Sequence, residues 1–290
     1  MLTTEDILRK VRTLEIKSKR LTNHMFTGEY HSAFKGQGMS YKEVREYQPG
    51  DDVRFIDWNV SARYAHPYSK VFEEERELSV FLLIDNSASI SCGTQVQRKK
   101  DLITELAAVL AFSAANNQDK VGALLFGDKV EKFVAPKKGK QHVLYLVREM
   151  LSLDAQSGST SYAEAFRFFN NAARRKSICF LISDFMGVGF EEAVRVAARK
   201  HDVIGIKIYD QLDMKLPDVG LLQVQDAETG EQRLLDTSSK LVRHEYESDF
   251  HRHNEHVNDV FRKAGADLLH MRAGEDYVKV LQKFFINRSR

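Results

Sequence analysis

Leu78-Ser79-Val80-Phe81-Leu82-Leu83-Ile84-Asp85-Asn86-Ser87-Ala88-Ser89 is an apolar run that stops on a carboxylate and continues as hydroxyls. A near-continuous apolar run of this length is what a central parallel strand needs when helices cover both its faces. Ser177-Ile178-Cys179-Phe180-Leu181-Ile182-Ser183 repeats the pattern and stops on Asp184. Apolar residues at helical spacing predict helices over about 97–116, 140–152, 161–174 and 190–200. Further strands are expected at 121–126, 130–134, 203–209 and 266–271. A polar helix is expected over about 241–264 and a last helix over 277–285. Strands alternating with helices predict an α/β domain, doubly wound around a mostly parallel central sheet.

Two segments depart from that rhythm. Residues 219–236 hold the turn signal Glu228-Thr229-Gly230-Glu231 between apolar stretches, so an inserted β-hairpin is expected there, as an addition to the sheet. Residues 1–76 read as an N-terminal extension packed on a core domain of 77–290. Within the extension, 4–20 has helical spacing through Ile7, Leu8, Val11 and Leu14. Pro49-Gly50-Asp51-Asp52 signals a turn, and 53–72 is open to an extended reading. Trp58 is expected in the core of the extension, with Asp51, Asp52 and the neighbouring arginines making turns and ion pairs.

The balance of 43 basic and 41 acidic residues gives a net charge of +2, which offers no nucleic-acid footprint. Cys92 and Cys179 are too few for a disulfide framework or a zinc cage, and Cys179 reads as a buried thiol. No apolar run approaches the ~20 residues of a membrane helix. The N-terminus shows no signal-peptide pattern, so a soluble, cytoplasmic protein is expected.

Ligands of open α/β sheets bind beyond the carboxyl ends of the strands, and that edge is where Asp85 and Asp184 fall. Ser87 and Ser89 are alternate residues that can turn their hydroxyls to one side of a tight loop. Thr160, in Gly158-Ser159-Thr160-Ser161 before a helix, offers a third hydroxyl. Hard oxygen ligands of this kind suit Mg²⁺, with Mn²⁺ or Ca²⁺ as alternatives. Two carboxylates and hydroxyls leave such an ion under-neutralised, so an Asp or Glu of a protein partner could complete it. The plain structural alternative is that Asp85 closes a turn, since Asp-Asn-Ser is good loop chemistry.

The order Asp85, Ser87, Ser89, then Thr160, then Asp184 resembles the metal-ion-dependent adhesion site of von Willebrand factor A domains. The resemblance implies that the serines and the threonine bind the ion directly or through water, and that Asp184 acts through water. A second resemblance spans nearly the whole chain. It rests on Tyr47-Gln48-Pro49-Gly50-Asp51-Asp52-Val53-Arg54-Phe55-Ile56-Asp57-Trp58, Ser61-Ala62-Arg63, Glu73-Glu74-Glu75-Arg76, the stretch 126–136 and Ser183-Asp184-Phe185. These are similar to the signature of the bacterial domain-of-unknown-function fifty-eight family, whose members resemble von Willebrand A domains. That resemblance implies an adaptor or chaperone-like role beside a MoxR-type AAA+ ATPase.

The rival function is a magnesium-dependent phosphohydrolase with Asp85 as nucleophile. Such sites need an acid two residues on to protonate the leaving group. Ser87 stands there and cannot serve, and no lysine occupies a comparable motif position. A non-enzymatic interaction module is therefore expected. Gly36-Gln37-Gly38 lacks the Lys-Ser/Thr of a phosphate-binding loop. His253 and His256, three apart on the polar helix, could hold a transition metal but read better as a solvated face.

Overall fold

The structure is a computed structural model, and it describes residues 39–74, 78–91, 98–153, 160–225 and 231–288. In chain order its strands are β1 (Met39–Glu46), β2 (Tyr68–Glu74), β3 (Ser79–Asp85), β4 (Lys120–Phe126), β5 (Val130–Lys137), β6 (Ile178–Ser183), β7 (Asp202–Tyr209), β8 (Leu221–Gln225), β9 (Gln232–Asp236) and β10 (Asp267–Arg272). Its helices are α1 (Trp58–Tyr64), α2 (Ala88–Ser91), α3 (Lys99–Asn116), α4 (Lys140–Ser152), α5 (Tyr162–Ala172), α6 (Phe190–Ala198), α7 (Gln211–Met214), α8 (Lys240–Ala264) and α9 (Tyr277–Arg288).

Six strands form one sheet in the order β10-β7-β6-β3-β4-β5. All neighbours are parallel except β4 and β5, which are antiparallel. The chain winds outward from β3 to β4 and β5, then returns to β3's other side for β6, β7 and β10. The order therefore reverses between β3 and β6. A doubly wound sheet opens a crevice at that switch point; Asp85 ends β3 and Asp184 follows β6.

Alternation along β3 decides which core each side chain enters, because successive residues point to opposite faces. Val80, Leu82 and Ile84 join α3, α4 and α9 on one face. Phe81 and Leu83 join an aromatic layer from α5, α6 and α8 on the other. Cys179 is buried in that second layer, as the apolar run around it requires. Gly205 of β7 lets α8 approach closely, since a Cβ there would lie 2.5 Å from the Phe261 ring.

The predicted core elements all form, with ends shifted by a few residues. The hairpin does not join the sheet as expected. β8 and β9 make a separate two-stranded sheet, and along β8 only alternate residues are even half-buried. A hairpin with so little apolar surface to bury gains nothing from entering the core. Its expected turn at Glu228 to Gly230 lies outside the described residues, as do the helix expected at 4–20, Gly36-Gln37-Gly38, and Cys92.

In the extension, β1 and β2 pair antiparallel. Asp51 and Asp52 close turns and pair with Arg45 at 2.7 Å and Arg54 at 2.6 Å, as the sequence suggested. The stretch from Val53 is not extended: a 3-10 turn, Val53–Phe55, precedes α1, and only then does β2 begin. Asp57 starts α1 by accepting from the Asn59 and Val60 amides, an N-cap that fixes where the helix begins. Trp58 is not core, being 70% exposed. The α1 residues turned inward are Val60 and Ser61, and the Ser61 hydroxyl accepts from the Tyr68 amide of β2.

Candidate metal centre

Strand register builds the site from the bottom. Ile84 of β3 lies level with Ile182 of β6, so the next residues, Asp85 and Ser183, are lateral neighbours. The Ser183 hydroxyl donates to Asp85 Oδ2 at 2.6 Å. That hydroxyl also meets the Tyr162 hydroxyl at 2.8 Å and accepts from the Phe185 amide. Because Ser183 gives its proton to Asp85, Tyr162 is the donor to Ser183. The Tyr162 ring is clamped by Phe126, Phe185 and Phe190.

Asp85 Oδ1 accepts from the Ser87 amide at 2.9 Å, so the turn role is real. The same turn brings the Ser87 and Ser89 hydroxyl oxygens within 3.0 Å of one another. Asn86 faces away: its amide donates to Phe126 O, and its side chain donates to Glu131.

Asp184 lies just past β6, buried. Its Oδ1 accepts from the Met186 amide at 3.2 Å, while Oδ2 has no hydrogen-bond partner. The turn after it is strained, because Phe185 holds φ at +56°, a region that bulky residues rarely enter. Thr160 meets this turn at Gly187. A Cβ on Gly187 would lie 3.2 Å from Thr160 Cβ and 3.1 Å from the Tyr162 ring. The structure thus brings the Asp85, Thr160 and Asp184 loops to one edge. Gly158 and Ser159 lie outside the described residues.

Electrostatics mark the edge as unusual. Asp85 is pushed up to about 7, first by burial and then by the charge of Asp184, against the hydrogen bonds from Ser183 and Ser87. Lys99, at the start of α3, sends its ammonium 2.8 Å from Asp213 Oδ2 and 3.7 Å from Asp184 Oδ2. Lys207 of β7 is fully buried and its Nζ has no hydrogen-bond partner. Burial pulls Lys207 down to about 8, although Asp184 and Asp213 act the other way.

Sequence reasoning missed Ser183, Tyr162, Lys99, Lys207 and Asp213. Ser183 was readable from parallel register, but the lysines come from α3 and β7, outside the three loops, and carry no motif.

The donor set fits a hard divalent ion. Adjacent corners of an octahedron with ~2.1 Å bonds stand about 3 Å apart, which the Ser87 and Ser89 oxygens already satisfy. A buried Asp85 held up by the charge of Asp184, and an Asp184 oxygen lacking a hydrogen bond, are what a cation would relieve. Among the described residues, no three His, Cys, Asp or Glu side chains gather as a metal cage. The histidines of α8 divide: His256 is exposed against Glu191 at 3.1 Å, as a solvated face predicts. His253 is half-buried and held below its usual pKa by burial and by Lys207, so it is not on that face.

No described helix is long and apolar enough to cross a membrane. The chain is 32% identical to uncharacterized protein Rv1480 of Mycobacterium tuberculosis over 283 residues, which is 97% of this chain and 89% of that one. Among solved structures it is similar to the conserved hypothetical protein BatB of Bacteroides thetaiotaomicron. That match has a TM-score of 0.46 and 14% identity, covering 73% of this chain and 98% of the other. Similarity to the SpRpn10 VWA domain has a TM-score of 0.43 and 14% identity, covering 71% and 94%. The model of the family described as protein of unknown function DUF58 matches residues 43–256, and the chain belongs to that family.

Proposed function

We propose that this protein is a non-enzymatic interaction module whose partner binds through a divalent ion, Mg²⁺ in the first place, at the β3/β6 edge. The observation that carries the reading is the Asp85 and Asp184 pair, buried at the switch point beside two hydroxyls already at ligand spacing. Asp85, Ser87, Ser89 and Thr160 would hold the ion, with Asp184 acting through water. The bound ion supplies a coordination position for an anionic oxygen, which an Asp or Glu of the partner would fill. Met186 and Val188 stand exposed on the turn after Asp184, and offer apolar contact beside that position. The resemblance set out from the Tyr47–Trp58 signature supports a MoxR-type AAA+ ATPase, or its client, as the partner.

Pull-down with wild type and Asp85→Ala, each with Mg²⁺ and with chelator, tests the reading. Partners are expected only for wild type in Mg²⁺; partners captured equally in all four conditions would sink it.

The phosphohydrolase reading, with Asp85 as nucleophile, gains one point from Lys99 and Lys207, since buried ammonium groups can serve a phosphoryl group. Against it, Ser87 occupies the place of the needed acid. A phosphatase screen with Mg²⁺ separates the two: turnover abolished by Asp85→Asn would favour the enzyme.

A further inference from the structure

Lys99 occupies a position that disfavours it twice. It is the first residue of an 18-residue helix, where the aligned peptide dipoles repel a cation. It is also only 3% exposed, so its charge carries a desolvation penalty. Arg98, at the N-cap, makes no side-chain cap. Two carboxylates offset these costs, and they are of different kinds. Asp184 belongs to the proposed metal set. Asp213 belongs to α7, where its Oδ2 also accepts from the Asp210 amide at 2.7 Å, within a capping box. Lys99 therefore stands between a carboxylate that a metal would use and one that it would not.

We infer that Lys99 is a tethered counter-cation that competes with the divalent ion for Asp184, and that Asp213 is the acceptor that draws it away. The inference rests on the proposed metal reading and adds how that site is regulated. A divalent ion near Asp184 and an ammonium 3.7 Å from the same oxygen repel each other strongly in a poorly screened interior. Ion binding must push Lys99 wholly onto Asp213, with which it already makes the shorter contact. The site is thereby held at low affinity until a partner's carboxylate adds negative charge. Lys207 adds further positive charge to the same neighbourhood and works in the same direction.

The test is calorimetric titration of MgCl₂, and separately MnCl₂, into the full chain as wild type, Lys99→Met, Asp213→Asn and the double variant. Far-UV circular dichroism in chelator checks folding. Lys99→Met is expected to bind about tenfold tighter than wild type, because a repelling charge is gone. Asp213→Asn is expected to bind several-fold more weakly, because Lys99 is then drawn toward Asp184. In the Lys99→Met background, Asp213→Asn is expected to change little, since it acts through the lysine. If Lys99→Met fails to fold, Lys99→Gln, which keeps a donor toward Asp213, takes its place with the same expectation. Wild-type binding with unchanged or weaker affinity in the lysine variant overturns the inference alone. Equal effects of Asp213→Asn in both backgrounds also overturn it. Absence of binding in every protein overturns the metal reading, and this inference with it.

Discussion

Asp85 accepts from the Ser87 amide and the Ser183 hydroxyl, while Asp184 Oδ2, on the same edge, has no hydrogen-bond partner. Asp85, buried and facing the charge of Asp184, destabilises the metal-free fold. Asp85→Asn keeps the side-chain shape and removes one charge. It is expected to stabilise the protein in chelator by about 1–2 kcal/mol, as relief of a strained site does, and to abolish stabilisation by Mg²⁺. Chemical denaturation with and without the ion measures both. His201 gives a separate expectation. It is buried against the Phe169 ring, neither ring nitrogen has a hydrogen-bond partner, and burial with the charges of Lys200 and Lys176 lowers it to about 4. Between about 6.5 and 4 the unfolded chain takes up a proton that the folded chain refuses. Its contribution is therefore fully present above about pH 6.5 and is lost as pH falls toward 4, amounting to roughly 2 kcal/mol between pH 7 and pH 5. His201→Leu is expected to flatten urea-unfolding stability over that interval; an unaltered slope would remove His201 from the account. Sequence placed Asp85, Ser87, Ser89, Thr160 and Asp184, because each lies at a strand end or in a loop that local pattern reveals. It could not place Lys99 or Lys207, whose roles depend on which strand ends lie side by side.

Among the elements, those with a strong apolar pattern were legible. β3, β6 and α3 form where runs and spacings said, because burial on a sheet face or along a helix selects such patterns. The extension and the hairpin were not, since weakly buried elements are fixed by caps and turns rather than by periodicity. Trp58 shows this: an aromatic usually signals core, yet the Asp57 cap sets the start of α1 and leaves the ring exposed. Two glycines test the packing of elements. Gly205→Ala puts a methyl 2.5 Å from Phe261, so α8 must shift, and a loss of about 1–3 kcal/mol is expected by chemical denaturation. Gly187→Ala meets Thr160 and Tyr162 at 3.1–3.2 Å. It is expected to cost about 1 kcal/mol or less while weakening Mg²⁺ binding several-fold, because it parts the Thr160 and Asp184 loops. Unchanged ion affinity would remove Gly187 from the site.

For the whole molecule, winding order does the assembling. β3 lies between β4 and β6, so the reversal of the chain leaves the crevice between two strands buried almost end to end. Residues separated by about a hundred positions in sequence are bonded there, as Ser183 to Asp85 is. A ligand held only by the assembled edge stabilises the whole fold by linkage, about 2.7 kcal/mol at a hundred times its dissociation constant. The central claim is that this edge holds a divalent ion. Calorimetric titration of MgCl₂ into wild type and Asp85→Ala tests it most directly: one ion bound per chain by wild type and none by the variant is the predicted result, and equal binding by both, or none by wild type and Lys99→Met alike, would contradict it.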